Sequence, residues 1–261
     1  MTPDRETLAL DGHEVTLWRG GAGAPLVFLH DVLGPLWEGL PDRLARRRTV
    51  VMPSLLGFPG STYREDLDTM EDLAFWTLAL LEHRGLRGAD VVAEGYGGWI
   101  AAEVATRWPD AIGRLVLVSP MGLRLASAPP KALFELRGPA LRAMLFGDPE
   151  SDLAQRLAPD MPSSMEEFET KLTADRAAAR FAWRPYLHNP KLPERLARVK
   201  SPTLIVWGAA NRLLAPAYAE AWRKRIADAE IEIIPEAGHM VAMERPELVA
   251  TRAERFLGRP A

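Results

Sequence analysis

The sequence predicts an α/β fold in which a mostly parallel sheet is flanked by helices. Three observations predict it. Short apolar runs such as PLVFLH, residues 25 to 30, have the length and continuity of strands buried on both faces. These runs alternate with segments of helical spacing, as a parallel sheet covered on both sides requires. With 261 residues and 48% hydrophobic content, the chain can bury roughly 75% of its unfolded surface in one substantial core.

Taken in order, ETLAL and EVTLWR flank Asp11-Gly12, a strong short-range signal for an antiparallel hairpin. PLVFLH is the next strand, LWEGLPDRLARR a helix broken near its start by Pro41, and RTVVMP a further buried strand. The polar loop SLLGFPGSTYREDLD leads into a long helix from about Met70 to Leu86, with Asp68 or Thr69 as its cap. ADVVAE is a strand, and a helix follows from Gly97 to Arg107. GRLVLVSP, PTLIVWG and IEIIPEA are the last three strands, and ELVATRAERFL closes the chain as an amphipathic helix.

Residues 121 to 200 interrupt this rhythm with short helical segments and no strand pattern. They divide the chain into a core, 1–120 and 201–261, and a helical lid, 121–200, inserted before the strand at about 202–207. The lid would lie over the carboxyl ends of the strands. Most of its apolar side chains are expected to pack it onto the core, and some to form a pocket wall. Trp183, Phe146, Met121 and Met240 are the residues expected to meet a substrate.

Composition narrows the partners. A formal charge of -3 provides no basic face for nucleic acid. Absence of cysteine removes disulfides, thiolate metal sites and cysteine nucleophiles together. No stretch approaches 18 uninterrupted apolar residues, and the charged amino terminus lacks the apolar run of a signal peptide, so a cytoplasmic protein is expected. His13, His30, His83 and His188 show no pairing at metal spacing, and no cofactor is expected. EGYGGW lacks the third glycine of a dinucleotide fingerprint.

In open α/β sheets chemistry sits at the carboxyl ends of the strands. Three ends are informative: VVAE runs into Gly95, PTLIVWG into AANRLL, and IEIIPEA into GHM. Gly95, Asn211 and His239 occupy these ends in the chain order nucleophile, acid, histidine.

Five segments in order resemble the α/β-hydrolase superfamily, over most of the chain from PLVFLH to the final helix. LVFLHDVLG resembles the strand and His-Gly oxyanion loop, and VVMPSLLGFPGS the following strand with its P-D-x-x-G-F-G loop. VAEGYGGWIAAE resembles the nucleophile elbow, TLIVWGAANRLLAP the acid loop, and IPEAGHMVAMERPE the histidine loop. The resemblance implies Tyr96 and Val32 as the oxyanion-hole amides.

The departures are equally clear. Gly95 stands at the nucleophile position, Asn211 at the acid position, Asp31 where the loop histidine is usually followed by glycine, and Ser54 where such loops often carry Asp. No GxSxG occurs anywhere, so acyl-serine catalysis is unavailable at this site. His239 is the triad member kept, and it can act as a general base on water or on an acidic substrate proton. Asn211 is expected to accept a hydrogen bond from the imidazole through its amide oxygen. Gly95 is expected to leave room for a ligand atom, a water or an anion. Asp31, and less readily Glu94, could stand in for a lost triad member.

Two functions follow. One is a cofactor-free enzyme acting on a small apolar carbonyl compound through His239 and an oxyanion hole, by water-mediated hydrolysis, C–C cleavage, elimination, isomerisation or cyclisation. The other is a catalytically inactive ligand-binding or interaction protein. Retention of the His239 loop and the elbow glycines favours the enzyme, and Asn211 opposes it. Oligomeric state is not legible.

Overall fold

Asp11 and Gly12, both with positive φ, turn the chain between β1 (Asp4–Leu10) and β2 (His13–Gly20), which pair in register from Asp4 opposite Arg19 to Leu10 opposite His13. The computed structural model describes residues 1–259. The buried runs become β3 (Pro25–Leu29), β4 (Thr49–Pro53), β5 (Asp90–Glu94), β6 (Leu115–Val118), β7 (Thr203–Gly208) and β8 (Glu230–Ile234). They form one sheet of eight strands in the order β1-β2-β4-β3-β5-β6-β7-β8. β2 pairs antiparallel with β1 and with β4, and every other pairing is parallel.

Alternation of side chains along the parallel strands divides the core in two. Val27, Leu29, Val91, Ala93 and Leu117 face a layer that includes α2 (Met70–His83) and α3 (Gly95–Arg107). Leu26, Phe28, Val92, Val116 and Val206 face α1 (Leu40–Leu44) and, near the chain end, an amphipathic helix over Pro246–Leu257. α1 is shorter than the spacing of LWEGLPDRLARR suggests and carries Pro41 in its first turn, where the missing N–H costs nothing. Thr69 caps α2 with a capping box: its hydroxyl accepts the Asp72 N–H at 3.0 Å and the Asp72 carboxylate accepts the Thr69 N–H at 2.9 Å.

Between β6 and β7 the chain forms α4 (Gly138–Leu145), α5 (Asp152–Leu157), α6 (Met165–Ala182), the short α7 (Leu192–Arg195) and a 3-10 turn. α8 (Ala217–Arg223) links β7 to β8, and after β8 come α9 (Val241–Glu244) and α10, the Pro246–Leu257 helix. The end of α4 packs on the segment after β8. Met240 N–H donates to the Leu145 carbonyl at 3.0 Å, and Glu244 accepts from the amides of Gly147 and Gly238, each at 2.7 Å. Among the described residues no helix is long and apolar enough to cross a membrane.

Candidate active site

The sheet order reverses at β3, because β4 lies on one side of it and β5 on the other. The carboxyl ends of β3 and β5 therefore form the switch point where such sheets hold ligands. Register decides what meets there. Leu26 lies opposite Asp90 and Leu29 opposite Ala93, so the same offset carried two residues further sets Asp31 level with Gly95.

Close packing holds that alignment. Gly97 N–H donates to the His30 carbonyl at 3.1 Å, and a Cβ on Gly97 would lie 2.4 Å from the Leu29 carbonyl oxygen. Only glycine allows the start of α3 to approach the end of β3 so closely. His30 pins the loop from the other side: its Nδ1 lies 2.8 Å from the Asp31 carbonyl, and its Nε2 accepts the Leu55 N–H at 3.0 Å. That pairing puts the ring proton on Nδ1. Burial lowers the His30 pKa to about 4, against the Asp31 carbonyl bond and the Asp31 charge that raise it.

The Asp31 carboxylate fills the place left by Gly95. A Cβ on Gly95, whose φ is +41°, would lie between 2.1 and 2.3 Å from the three carboxyl atoms of Asp31. The vacancy expected from Gly95 is thus absent. The Val32 and Tyr96 amides do converge, but both donate to Asp31 Oδ1, each at 2.8 Å. An oxyanion hole open to a substrate is corrected to one satisfied internally by a carboxylate.

Oδ2 of Asp31 faces His239, 3.1 Å from Nε2, in a contact that lacks the alignment of a regular hydrogen bond. Both side chains are almost fully buried. Burial, the largest influence on Asp31, raises its pKa. Electrostatic attraction to the His239 ring, the contact with it and the two amides together outweigh that and hold the carboxyl below its usual range.

Asn211 meets His239 in the opposite sense to the expected one. Its Oδ1 accepts the Leu214 N–H at 3.0 Å, which turns Nδ2 toward His239 Nδ1 at 3.2 Å. An amide nitrogen can only donate, so Nδ1 is the acceptor and the ring proton sits on Nε2. The imidazole therefore presents an N–H, and not a lone pair, toward Asp31.

More buried polar atoms lie on residues at the end of β5, the start of α3 and just after β6. Glu94 Oε1, Tyr96 OH and Ser119 Oγ are buried without hydrogen-bond partners. Burial raises the Glu94 pKa well above the ordinary value, and the Asp31 charge adds to it. Burial does the same to Tyr96. Glu94 thus sits in the electrostatic field of the site, an influence its place before Gly95 does not advertise.

The expected substrate contacts divide. Met121, Phe146 and Met240 are buried against the site: Met121 N–H donates to the Gly95 carbonyl at 2.9 Å, and Phe146 lies beside Gly238 in the histidine loop. Trp183 does not join them. It is 42% exposed and packs on Phe134 and Tyr186, because it caps the far end of α6. Ser54 is spent on structure, its hydroxyl donating to the Pro59 carbonyl at 2.8 Å.

The chain matches the alpha/beta hydrolase family over residues 26–252.

It belongs to that family.

As an α/β-hydrolase it is 28% identical, over 253 residues, to the dihydrolipoyllysine-residue acetyltransferase component of the acetoin cleaving system of Pseudomonas putida. That match covers 91% of this chain and 64% of the relative, so the α/β-hydrolase spans just under two thirds of that relative's length. A 2-hydroxymuconate semialdehyde hydrolase of Pseudomonas putida is 26% identical over 271 residues, covering 97% of this chain and 93% of the relative. Among solved structures, a serine hydrolase involved in carbazole degradation superposes with a TM-score of 0.79 at 21% identity, covering 98% and 99% of the two chains. Hydrolases thus stand among its relatives.

Proposed function

We propose that this α/β-hydrolase has had its catalytic centre closed by its own Asp31, and that it acts by binding and not by turnover. The occupation of both oxyanion amides by Asp31 Oδ1 carries the reading. A charged acceptor holds such donors roughly twice as strongly as a neutral carbonyl does. A neutral substrate carbonyl is therefore the weaker competitor for the two amides. Gly95 offers no attacking atom, and His239 turns an N–H toward Asp31 where a base needs a lone pair. We read the helices between β6 and β7 as a lid, a reading supported by the bond from Met240 to Leu145.

A second reading, an enzyme using His239 on a small apolar carbonyl compound, has its own support. Relatives carry hydrolase names, and the unpartnered Glu94, Tyr96 and Ser119 atoms resemble the polar reserve of working sites. It requires Asp31 to swing out of the amides. Turnover of p-nitrophenyl acetate and butyrate by the native protein and by His239→Ala decides between them. The binding reading expects both proteins to match the buffer blank. Hydrolysis by the native protein that His239→Ala abolishes would overturn it.

A further inference from the structure

At the amino ends of the parallel strands, the opposite end of the sheet from Asp31 and His239, α1 and α10 leave an open groove of about 530 Å³ between them. The chain path puts it there. Arg48 is followed at once by β4, and Arg259, just past α10, pairs with Glu230 at the start of β8. Four arginines line the groove: Arg43, Arg46 and Arg47 from α1 and the turn after it, and Arg255 from α10. Two glutamates, Glu247 and Glu254, face them.

Those glutamates do not balance the arginines. Glu247 is shared between Arg43 and Arg46, the latter at 3.1 Å. Glu254 lies 3.2 Å from Nε of the buried Arg48, whose guanidinium Asp90 also meets at 3.1 Å. Asp42 touches Arg43, and the Met1 ammonium contacts the same carboxylate. In this network Met1, Arg43, Arg46, Arg47, Arg48 and Arg255 are six cations, and Asp42, Asp90, Glu247 and Glu254 are four anions. A surplus of two positive charges remains.

Arginines near helix carboxyl ends commonly serve the last carbonyls. Here they do not. Among the described residues, Arg47 and Arg255 make neither an ion pair nor a side-chain hydrogen bond, and both are exposed. A single exposed arginine attracts little, whereas several converging in one groove from two elements reinforce each other's field. Guanidinium forks also match phosphate oxygens two at a time.

We propose that this groove binds an oligophosphate group, free or carried by a nucleotide, with Arg47 and Arg255 as its main contacts and Arg46 beside them. A surplus of two charges suits linked phosphates better than a lone carboxylate. No aromatic ring is among the residues that line the groove, so an attached base has nothing to stack on. The site is independent of Asp31, Gly95 and His239, and it stands whichever reading of that centre holds.

Calorimetric titration with tripolyphosphate, at low salt and with EDTA to exclude metal ions, tests it. Arg47→Gln and Arg255→Gln should each weaken binding about fivefold or more, and the pair together about twentyfold or more. Glu247→Gln frees Arg43 and Arg46 toward the groove and should tighten binding. Arg223→Gln, which removes a cation from α8 on the other face of the sheet, should change nothing. Raising the salt should weaken binding, because the attraction is screened. ATP should bind as tripolyphosphate does. Unchanged thermal melts would show that the variants remain folded. Absence of saturable tripolyphosphate binding overturns the proposal, as does binding of ATP alone. So does equal binding by the Arg47→Gln, Arg255→Gln double variant, or an equal loss in Arg223→Gln.

Discussion

Asp31 and Gly95 stand level at the ends of adjacent parallel strands, and only one of them can carry a side chain into the space between. The carboxylate of Asp31 occupies it, with Oδ1 on the amides of Val32 and Tyr96 and Oδ2 facing His239. Two departures from the family pattern, far apart in the chain, are therefore one structural event.

Gly95→Ser on its own should be destabilising. Its Cβ would meet the Asp31 carboxyl at 2.1 to 2.3 Å, and its φ of +41° adds strain. Overpacking of this kind costs about 1–3 kcal/mol, with another ~1 kcal/mol from the backbone. Replacing Asp31 with glycine in the same chain should recover at least about 1 kcal/mol of coupling, read from a double-mutant cycle of urea unfolding. Additive effects would mean that the two side chains do not share the space.

The combination Asp31→Gly, Gly95→Ser, Asn211→Asp should raise esterase activity above that of the parent. Removing Asp31 frees the two amides, the serine supplies a nucleophile, and aspartate at 211 draws the ring proton to Nδ1 so that Nε2 becomes the acceptor. Hydrolysis of p-nitrophenyl acetate should rise at least tenfold above the parent. A folded triple variant no better than the parent would show that more than these three positions was lost.

Glu94 gives stability a distinct alkaline slope. Its folded pKa is raised, so the native state keeps a proton that the unfolded chain sheds above about 4.3. Stability is full below that value and declines as pH rises toward the folded pKa. Glu94→Gln removes the dependence, and its advantage over the parent should be larger at pH 8 than at pH 5 in urea unfolding. A gain independent of pH would place Glu94 outside the field of Asp31 and the buried site.

His30 and Asp31 shape the acid side. The unfolded chain binds a proton at histidine near 6.5, whereas His30 resists it down to about 4. Stability therefore falls as pH drops through that window, by on the order of 3 kcal/mol. Asp31, held below its usual range, adds a further loss below about 3.9, as its carboxyl becomes protonated. His30→Gln should flatten the decline between pH 6.5 and 4.5, and Asp31→Asn only the part below it. Denaturant unfolding across pH 3 to 8 separates the two.

Much of the fold was legible in the sequence because it depends on short-range rules. Hydrophobic runs marked the strands, Asp11-Gly12 marked the hairpin, and Asp68 or Thr69 marked the start of α2, where Thr69 proves to be the cap, in a box contained within four residues. The site was legible as a set of positions. Asp31, Val32, Gly95, Tyr96, Asn211 and His239 are brought together by the strand ends that their motifs implied. Their states were not. Asn211 was expected to accept from His239 or to serve as a turn residue, and its oxygen is claimed by the Leu214 N–H three residues on, the local contact asparagine favours in turns.

The order of residues by itself determined which strand ends carry chemistry-bearing groups and which customary groups are missing. It could not determine that Asp31 fills the gap at Gly95, because that follows from the offset between β3 and β5 and from the glycine contact that draws α3 against Leu29. Strand register is a property of two segments some sixty residues apart packing in three dimensions. One residue of slip would turn the carboxylate to the other face and leave the two amides free.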